Sequence, residues 1–183
     1  HLDVVVNNAG NANTAPIEHT SVDEFRGQLE VNLFGVIHVS KAALPYFKAQ
    51  RSGHYLQFSS IGGRVGGTPG IAPYQAAKFG VEGFSLVLGA ELAPFGVKVT
   101  IVEPGSFRTD WAGSSMRMDD GGPDYAETVG SMVSATDRLS MLKPRTLNIP
   151  ATRARTPNSF STRMEMVCRM RPLSGDGSVT GSP

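Results

Sequence analysis

Three short apolar runs alternate along this chain with two long stretches of helical period, and that alternation constrains the fold more than any other feature. Leu2 to Val6 is β-branched and ends at Asn7-Asn8-Ala9-Gly10, which predicts a buried strand running into a loop. Ser21-Val22-Asp23-Glu24 has the form of a capping box. It opens a helical pattern from about Val22 to Ala49, in which Phe25, Leu29, Leu33, Val36 and Val39 recur at three- and four-residue spacing. Gly53 ends that unit, and His54 to Phe58 reads as the next strand. A glycine-rich loop from Ile61 to Ala72 follows. Pro73 suits the first turn of a helix that carries Tyr74, Lys78, Val81, Phe84, Leu88 and Leu92 and closes near Gly96. Val97 to Glu103 is a third strand, stopped by Pro104-Gly105. Strands separated by helices of this length predict a parallel sheet with helical crossovers.

Tyr74 and Lys78 stand four residues apart on the second of these helices, so the phenol and the ammonium share a face. A free tyrosine has a pKa of about 10, too high for ready proton exchange near neutrality. A cation held beside it favours the phenolate and lowers that value. The paired Ser59-Ser60 lies fourteen residues before Tyr74, and the Ser60 hydroxyl is placed to polarise a carbonyl that Tyr74 protonates. A Tyr and a Lys at this spacing also occur on solvated helix faces, so the surrounding motifs decide the reading.

Those motifs resemble the short-chain dehydrogenase/reductase family from the first residues to about Trp111. Asn7-Asn8-Ala9-Gly10, Val31-Asn32-Leu33-Phe34-Gly35, Ser59-Ser60-Ile61-Gly62-Gly63, Tyr74-Gln75-Ala76-Ala77-Lys78 and Pro104-Gly105-Ser106-Phe107-Arg108-Thr109 stand in the family's order. The resemblance implies an α/β fold: a partial Rossmann-like, doubly wound parallel sheet corresponding to the latter half of the family's fold. It also implies an NAD- or NADP-dependent oxidoreductase that moves a hydride between nicotinamide and a carbonyl or alcohol carbon. Tyr74 would then be the general acid for reduction and the base for oxidation. Lys78 would lower the Tyr74 pKa and bind the nicotinamide ribose, and Ser60 would hold the substrate oxygen. Asn32 would keep a water in the proton relay, bound through a local opening of its helix. Bland readings stand beside these: Asn32 satisfying backbone groups at a kink, and Ser60 capping a turn. For the cofactor, Asn7, Ala9 and Gly10 resemble the loop that passes the adenosine side and steadies the sheet. Pro104, Gly105 and Thr109 resemble the segment that holds the carboxamide. Arg64 is read as a solvated loop charge. No metal ligand set is implied.

The family's glycine-rich phosphate loop, TGxxxGxG, occurs nowhere in the chain, and Gly62-Gly63 and Gly66-Gly67 do not lie between a first strand and its helix. Leu2 to Val6 matches the family's fourth strand, which lies beside the first. The expectations are therefore an exposed apolar edge, weak cofactor binding and little turnover by these residues alone. The chain opens on His1 already inside a strand, which reads as a cut.

Composition adds a division. Residues 1 to 137 carry 9 Lys/Arg against 14 Asp/Glu, and residues 138 to 183 carry 8 against 2. Residues 1–142 are expected to form the partial nucleotide-binding domain with the catalytic groups. From Lys143 onward the chain has no sustained period and is expected to be a disordered or aberrant basic tail. Ala126 to Leu142 is a candidate helix, and Trp111 to Tyr125 matches the family's mobile substrate lid, with Trp111, Met116 and Met118 suggesting an apolar wall. The single cysteine, Cys168, excludes an intrachain disulfide and favours a reducing, cytoplasmic setting. Neither a membrane span nor a nucleic-acid surface is expected. The family resemblance implies a small carbonyl or alcohol substrate and a homodimer or homotetramer paired through the two long helices. The alternative is a non-catalytic scaffold or interaction protein that retains half of the fold.

Overall fold

The structure, a computed structural model, describes residues 1–105, 116–141 and 168–172. Strand β1 (Val4–Asn7) pairs in parallel with β2 (Gly53–Phe58), and β2 pairs in parallel with β3 (Val97–Pro104). The register sets Val5 beside Tyr55 and Tyr55 beside Val99, so Val5, Asn7, Tyr55, Gln57, Val97, Val99 and Ile101 all point to one face. Two connections cross that face. The first is helix α1 (Val22–Leu29), a π-helical turn (Glu30–Phe34) and helix α2 (Gly35–Gln50). The second is helix α3 (Ala72–Leu92). Ala43 and Phe47 of α2 meet Leu88 and Leu92 of α3 over Tyr55, Val97 and Val99, with the Phe47 and Tyr55 rings edge to face at 4.8 Å.

The predicted caps form. Glu24 N donates to Ser21 Oγ and Ser21 N to Glu24 Oε2, the reciprocal pair of a capping box. Gly96, in the left-handed region, ends the turn that follows α3. The candidate helix after Ala126 divides into a π-helical turn, Ala126–Gly130, and helix α4, Ser131–Met141; Leu142 lies outside the described residues.

The opposite face of the sheet carries Val4, Val6, His54, Leu56, Lys98 and Thr100, and among the described residues no helix covers it. Val4 is 47% exposed and Val6 54%, and β1 has no second neighbour among the described strands. The other edge departs from expectation. Cys168–Pro172, inside the stretch expected to be disordered, form strand β4, antiparallel to β3 with Thr100 opposite Pro172 and Pro104 opposite Cys168. The β3 edge offers unpaired N–H and C=O groups, and an extended segment can satisfy them through its backbone whatever its side-chain pattern. The rest of the tail lies outside the described residues. No helix among the described residues is long and apolar enough to cross a membrane.

Candidate active site

Tyr74 and Lys78 sit in the first turns of α3, one turn apart, and both are buried at 9% and 4% exposure. Lys78 reaches back to the end of β2, where Nζ donates to Phe58 O at 2.8 Å, and it lies 5.6 Å from the centre of the Tyr74 ring. That contact holds the ammonium beside Ser59 and Ser60, the next two residues of the chain. Ser60 Oγ accepts from Gly62 N at 3.1 Å, capping the short turn Ile61–Gly63, and it is also hydrogen-bonded to the Tyr74 side chain. The capping role and the contact with the phenol therefore coexist. Ser59 Oγ instead points to Lys78 O, at 3.5 Å.

The electrostatics differ from the sequence expectation. Burial pushes the Tyr74 hydroxyl above its usual range, and the hydrogen bond with Ser60 opposes this only in part. Burial pushes Lys78 down to about 8. Loss of solvent, rather than attraction between ammonium and phenol, dominates both groups, so the expected lowering of the Tyr74 pKa by Lys78 does not appear here.

Asn32 is fully buried in the π-helical turn Glu30–Phe34. Its Nδ2 donates to Gln28 O at 2.9 Å and to Asn11 O at 2.9 Å, and its Oδ1 accepts from Asn11 N at 3.1 Å. The helix does open at Asn32, and the amide makes one backbone bond across the opening and two that clamp the loop after β1, with a longer contact from Nδ2 to Asn11 Oδ1 at 3.3 Å. Gly10, in that loop, lies against the same amide; a Cβ there would stand 2.7 Å from Asn32 Oδ1 and 3.7 Å from Lys78 Nζ. The loop thus comes close to Asn32 and Lys78 only because residue 10 lacks a side chain.

The remaining predicted positions disperse. Asn7 is buried beneath the sheet, where Nδ2 donates to Gln57 Oε1 at 2.7 Å and to Ser40 Oγ at 3.1 Å. Gln57 Nε2 donates to the same Ser40 Oγ at 3.0 Å. Ala9 is exposed in the loop, and Pro104 and Gly105 lie at the carboxyl end of β3, half-buried. Thr109 and Trp111 lie outside the described residues.

Sequence reasoning missed Ser40, Gln57 and Asn11. The available signal was Gln57 itself, a polar residue on the inward register of an apolar strand. Arg64 is not a free loop charge: its guanidinium pairs with Glu103 at 3.2 Å, and that carboxylate is only 7% exposed. Burying an acid at the end of β3 requires a cation, and Arg64 is the cation the loop supplies. Met116 and Met118 do form an apolar wall, packed with Ala12 and Ile71 against Tyr74.

The gathered residues are a polarised hydroxyl pair, a buried amine beside it and an open backbone approach at Gly10. Such a set can transfer a proton to an oxygen and can hold a sugar hydroxyl on the two lysine N–H groups that Phe58 O does not take. The family profile described as "short chain dehydrogenase" matches residues 1–120. The chain is 52% identical to the oxidoreductase BOA17 of Botryotinia fuckeliana over 139 residues, which are 76% of this chain and 50% of that protein. It thus spans about half the length of that relative. Of solved structures, a short-chain dehydrogenase from Streptomyces avermitilis shares 36% identity with a TM-score of 0.65, covering 75% of this chain and 55% of that one. An NAD+-bound xylitol dehydrogenase shares 31% with a TM-score of 0.54, over 56% of this chain and 40% of that one. The order of the motifs, the parallel sheet that presents them and these likenesses agree: the chain belongs to the short-chain dehydrogenase family.

Proposed function

We propose that this chain carries the proton-transfer half of an NAD- or NADP-dependent oxidoreductase acting on a carbonyl or alcohol carbon. The observation that supports it most is the hydrogen bond between the Tyr74 and Ser60 side chains, with the Lys78 amine buried alongside. In reduction, Ser60 donates to the substrate oxygen where negative charge develops, and Tyr74 delivers the proton that completes the alcohol. In oxidation the same phenol, once ionised, removes the proton. Lys78 holds the nicotinamide ribose through its free N–H groups, and Gly10 lets the backbone approach the nucleotide. When bound, the cofactor supplies the hydride, which no side chain here can provide. Asn32 positions the Asn11 loop in this scheme, and the two half-buried residues Pro104 and Gly105, with Thr109, complete the nicotinamide side.

The chain contains no TGxxxGxG loop, so these 183 residues alone give little turnover. The test joins them to a family phosphate loop on their amino side and compares Tyr74→Phe with the parent. We expect nicotinamide-dependent ketone reduction to fall by about a thousandfold, within the range that proton transfer and oriented hydrogen bonding contribute. Unchanged activity, or none in either protein, would favour a non-catalytic scaffold. Pairing into dimers through the two long helical connections belongs to the same reading, supported by the exposed Phe34 of the π-helical turn, Val39 and Tyr46 of α2, and Leu86 and Val87 of α3.

A further inference from the structure

Ser60 stands between two attachments to β3. On its amino side Ser59 N donates to Val102 O at 2.9 Å, a bond that continues the pairing of β2 with β3 past Phe58. On its other side Arg64 closes the short turn Ile61–Gly63, where Gly63 N donates to Ser60 O at 2.9 Å and Arg64 N to Ile61 O at 3.1 Å. From that fixed backbone the Arg64 guanidinium donates to Glu103 Oε2 at 3.2 Å, and the same nitrogen reaches Oε1 at 3.5 Å. Both attachments thus fall on neighbouring residues of β3, directly before Pro104 and Gly105. The turn is also pressed onto α3. A Cβ at Gly63 would stand 2.6 Å from Ser59 Oγ and 2.9 Å from Lys78 Cβ, and Gln75 Oε1 accepts from Gly67 N at 3.1 Å.

Stability alone does not account for an acid at position 103. Alternation along β3 places Glu103 on the helix-covered face with Val99 and Ile101, where its side chain is only 7% exposed. Taking a carboxylate out of water costs about as much as a nearby cation returns, and an apolar pair of similar volume is commonly as stable. A charge-assisted hydrogen bond supplies what an apolar contact lacks, a preferred direction and distance. We propose that Arg64 and Glu103 are positioning residues, whose ion pair sets where the Ser60 hydroxyl stands relative to Tyr74 and to the Pro104–Gly105 end of β3. The proposal rests on the reading of Ser60 and Tyr74 as the groups that act on the substrate oxygen. Ser60 Oγ meets Gly62 N within the turn and the Tyr74 side chain across it. A turn tied to β3 at Ser59 alone could swing about that bond and carry the hydroxyl away from the phenol. The second tether at Arg64 removes the swing.

The placement of Ser60 can be read in the 183-residue chain without nucleotide. Hydrogen exchange at the Gly62 amide, followed by NMR, reports its bond to Ser60 Oγ, and urea unfolding reports stability. Arg64→Gln leaves the Glu103 carboxylate without its cation. We expect a lower urea midpoint and Gly62 exchange about tenfold faster than in the parent. Arg64→Met combined with Glu103→Leu removes both charges, so the midpoint should return to the parent value while Gly62 keeps the faster exchange. Arg64→Lys should exchange as slowly as the parent, because a single guanidinium nitrogen makes the contact. Gly62 exchanging at the parent rate in Arg64→Gln or in the double variant would overturn the proposal. Should Arg64→Gln fail to fold, the double variant, which buries no charge, decides alone. In the protein joined to a phosphate loop, the double variant should lose about tenfold in kcat for ketone reduction with KM changed by less than about twofold, the mark of a contact strongest in the transition state. An unchanged kcat there would also overturn the proposal. A joined parent without turnover would remove the reading of the site, and Gly62 exchange would still decide whether the pair places Ser60, so the two failures are distinguishable.

Discussion

Replacing Gly10 and Gly27 separately by alanine should move stability in opposite directions. Gly27 is exposed in the interior of α1, and a Cβ there meets nothing within 4 Å. Alanine at such a position removes backbone freedom from the unfolded chain and gains about 0.5–1 kcal/mol. Gly10 gains the same entropy term, but its Cβ would lie 2.7 Å from Asn32 Oδ1, well inside the 3.4 Å at which ordinary contact begins. Asn32 cannot turn aside without cost, because Asn11 N, Asn11 O and Gln28 O bind its amide from three directions. Losing two of those three bonds at about 1–1.5 kcal/mol each outweighs the entropy gain, leaving a net loss of roughly 1–2 kcal/mol. The two variants should therefore differ by about 2–3 kcal/mol, which for a chain of this size separates their melting temperatures by roughly 4–12 °C. Urea unfolding gives the free energies, and hydrogen exchange at the Asn11 amide reports the local break. A neutral or stabilising Gly10→Ala, with Asn11 still protected, would refute the view that the loop rests on Asn32.

Ser40→Ala should cost about 1–3 kcal/mol in urea unfolding, because the hydroxyl is the shared acceptor for Asn7 and Gln57 in the dry layer under the sheet. The pH dependence of stability should carry the mark of Lys78. Its folded pKa of about 8 lies below the ordinary lysine value of 10.5, so the unfolded chain binds the extra proton between those limits. Stability should then rise with pH across that window, by on the order of 3 kcal/mol before tyrosine ionisation intervenes, and Lys78→Met should flatten the rise. An unchanged profile in Lys78→Met would assign the slope elsewhere.

The elements with strong local signals were legible in the sequence. Ser21 and Glu24 cap each other through contacts only three residues apart, and the apolar runs that became β1, β2 and β3 needed nothing beyond their own composition. The Tyr74–Lys78 spacing fixed their common face as soon as α3 formed. Features joined over long separations were not legible. Asn7 meets Gln57 and Ser40 only after the first crossover folds back, and Arg64 meets Glu103 only when the loop lies over the end of β3. Strand β4 was unreadable for a different reason: pairing by backbone alone leaves no trace in side-chain periodicity. At Asn32 the bond across the helix opening is local, but its preference for Asn11 over solvent depends on where the β1 loop comes to rest.

The least legible property was the sign of the Tyr74 shift, and it bears on the direction of catalysis. Read along a helix, a lysine one turn from a tyrosine is a cation that favours phenolate. Folded, both groups leave water, and burial favours the neutral form of each. Near neutrality Lys78, at about 8, still carries its proton in roughly nine molecules of ten, and Tyr74 is a protonated acid. In the proposed mechanism that state is the one that serves reduction of a carbonyl. Oxidation of an alcohol needs the phenolate, and raising the pH does not supply a charged partner for it. Lys78 is neutralised near 8, before a phenol held above 10 can ionise. The ammonium–phenolate pair therefore needs another positive charge in the site, and the oxidised nicotinamide of the proposed cofactor carries one. In the protein joined to a phosphate loop, the phenolate absorbance of Tyr74, isolated by difference from Tyr74→Phe, should titrate at a lower pH with NAD+ or NADP+ than without. A titration that the oxidised nucleotide leaves unchanged would mean that its positive charge does not set the phenol's acidity.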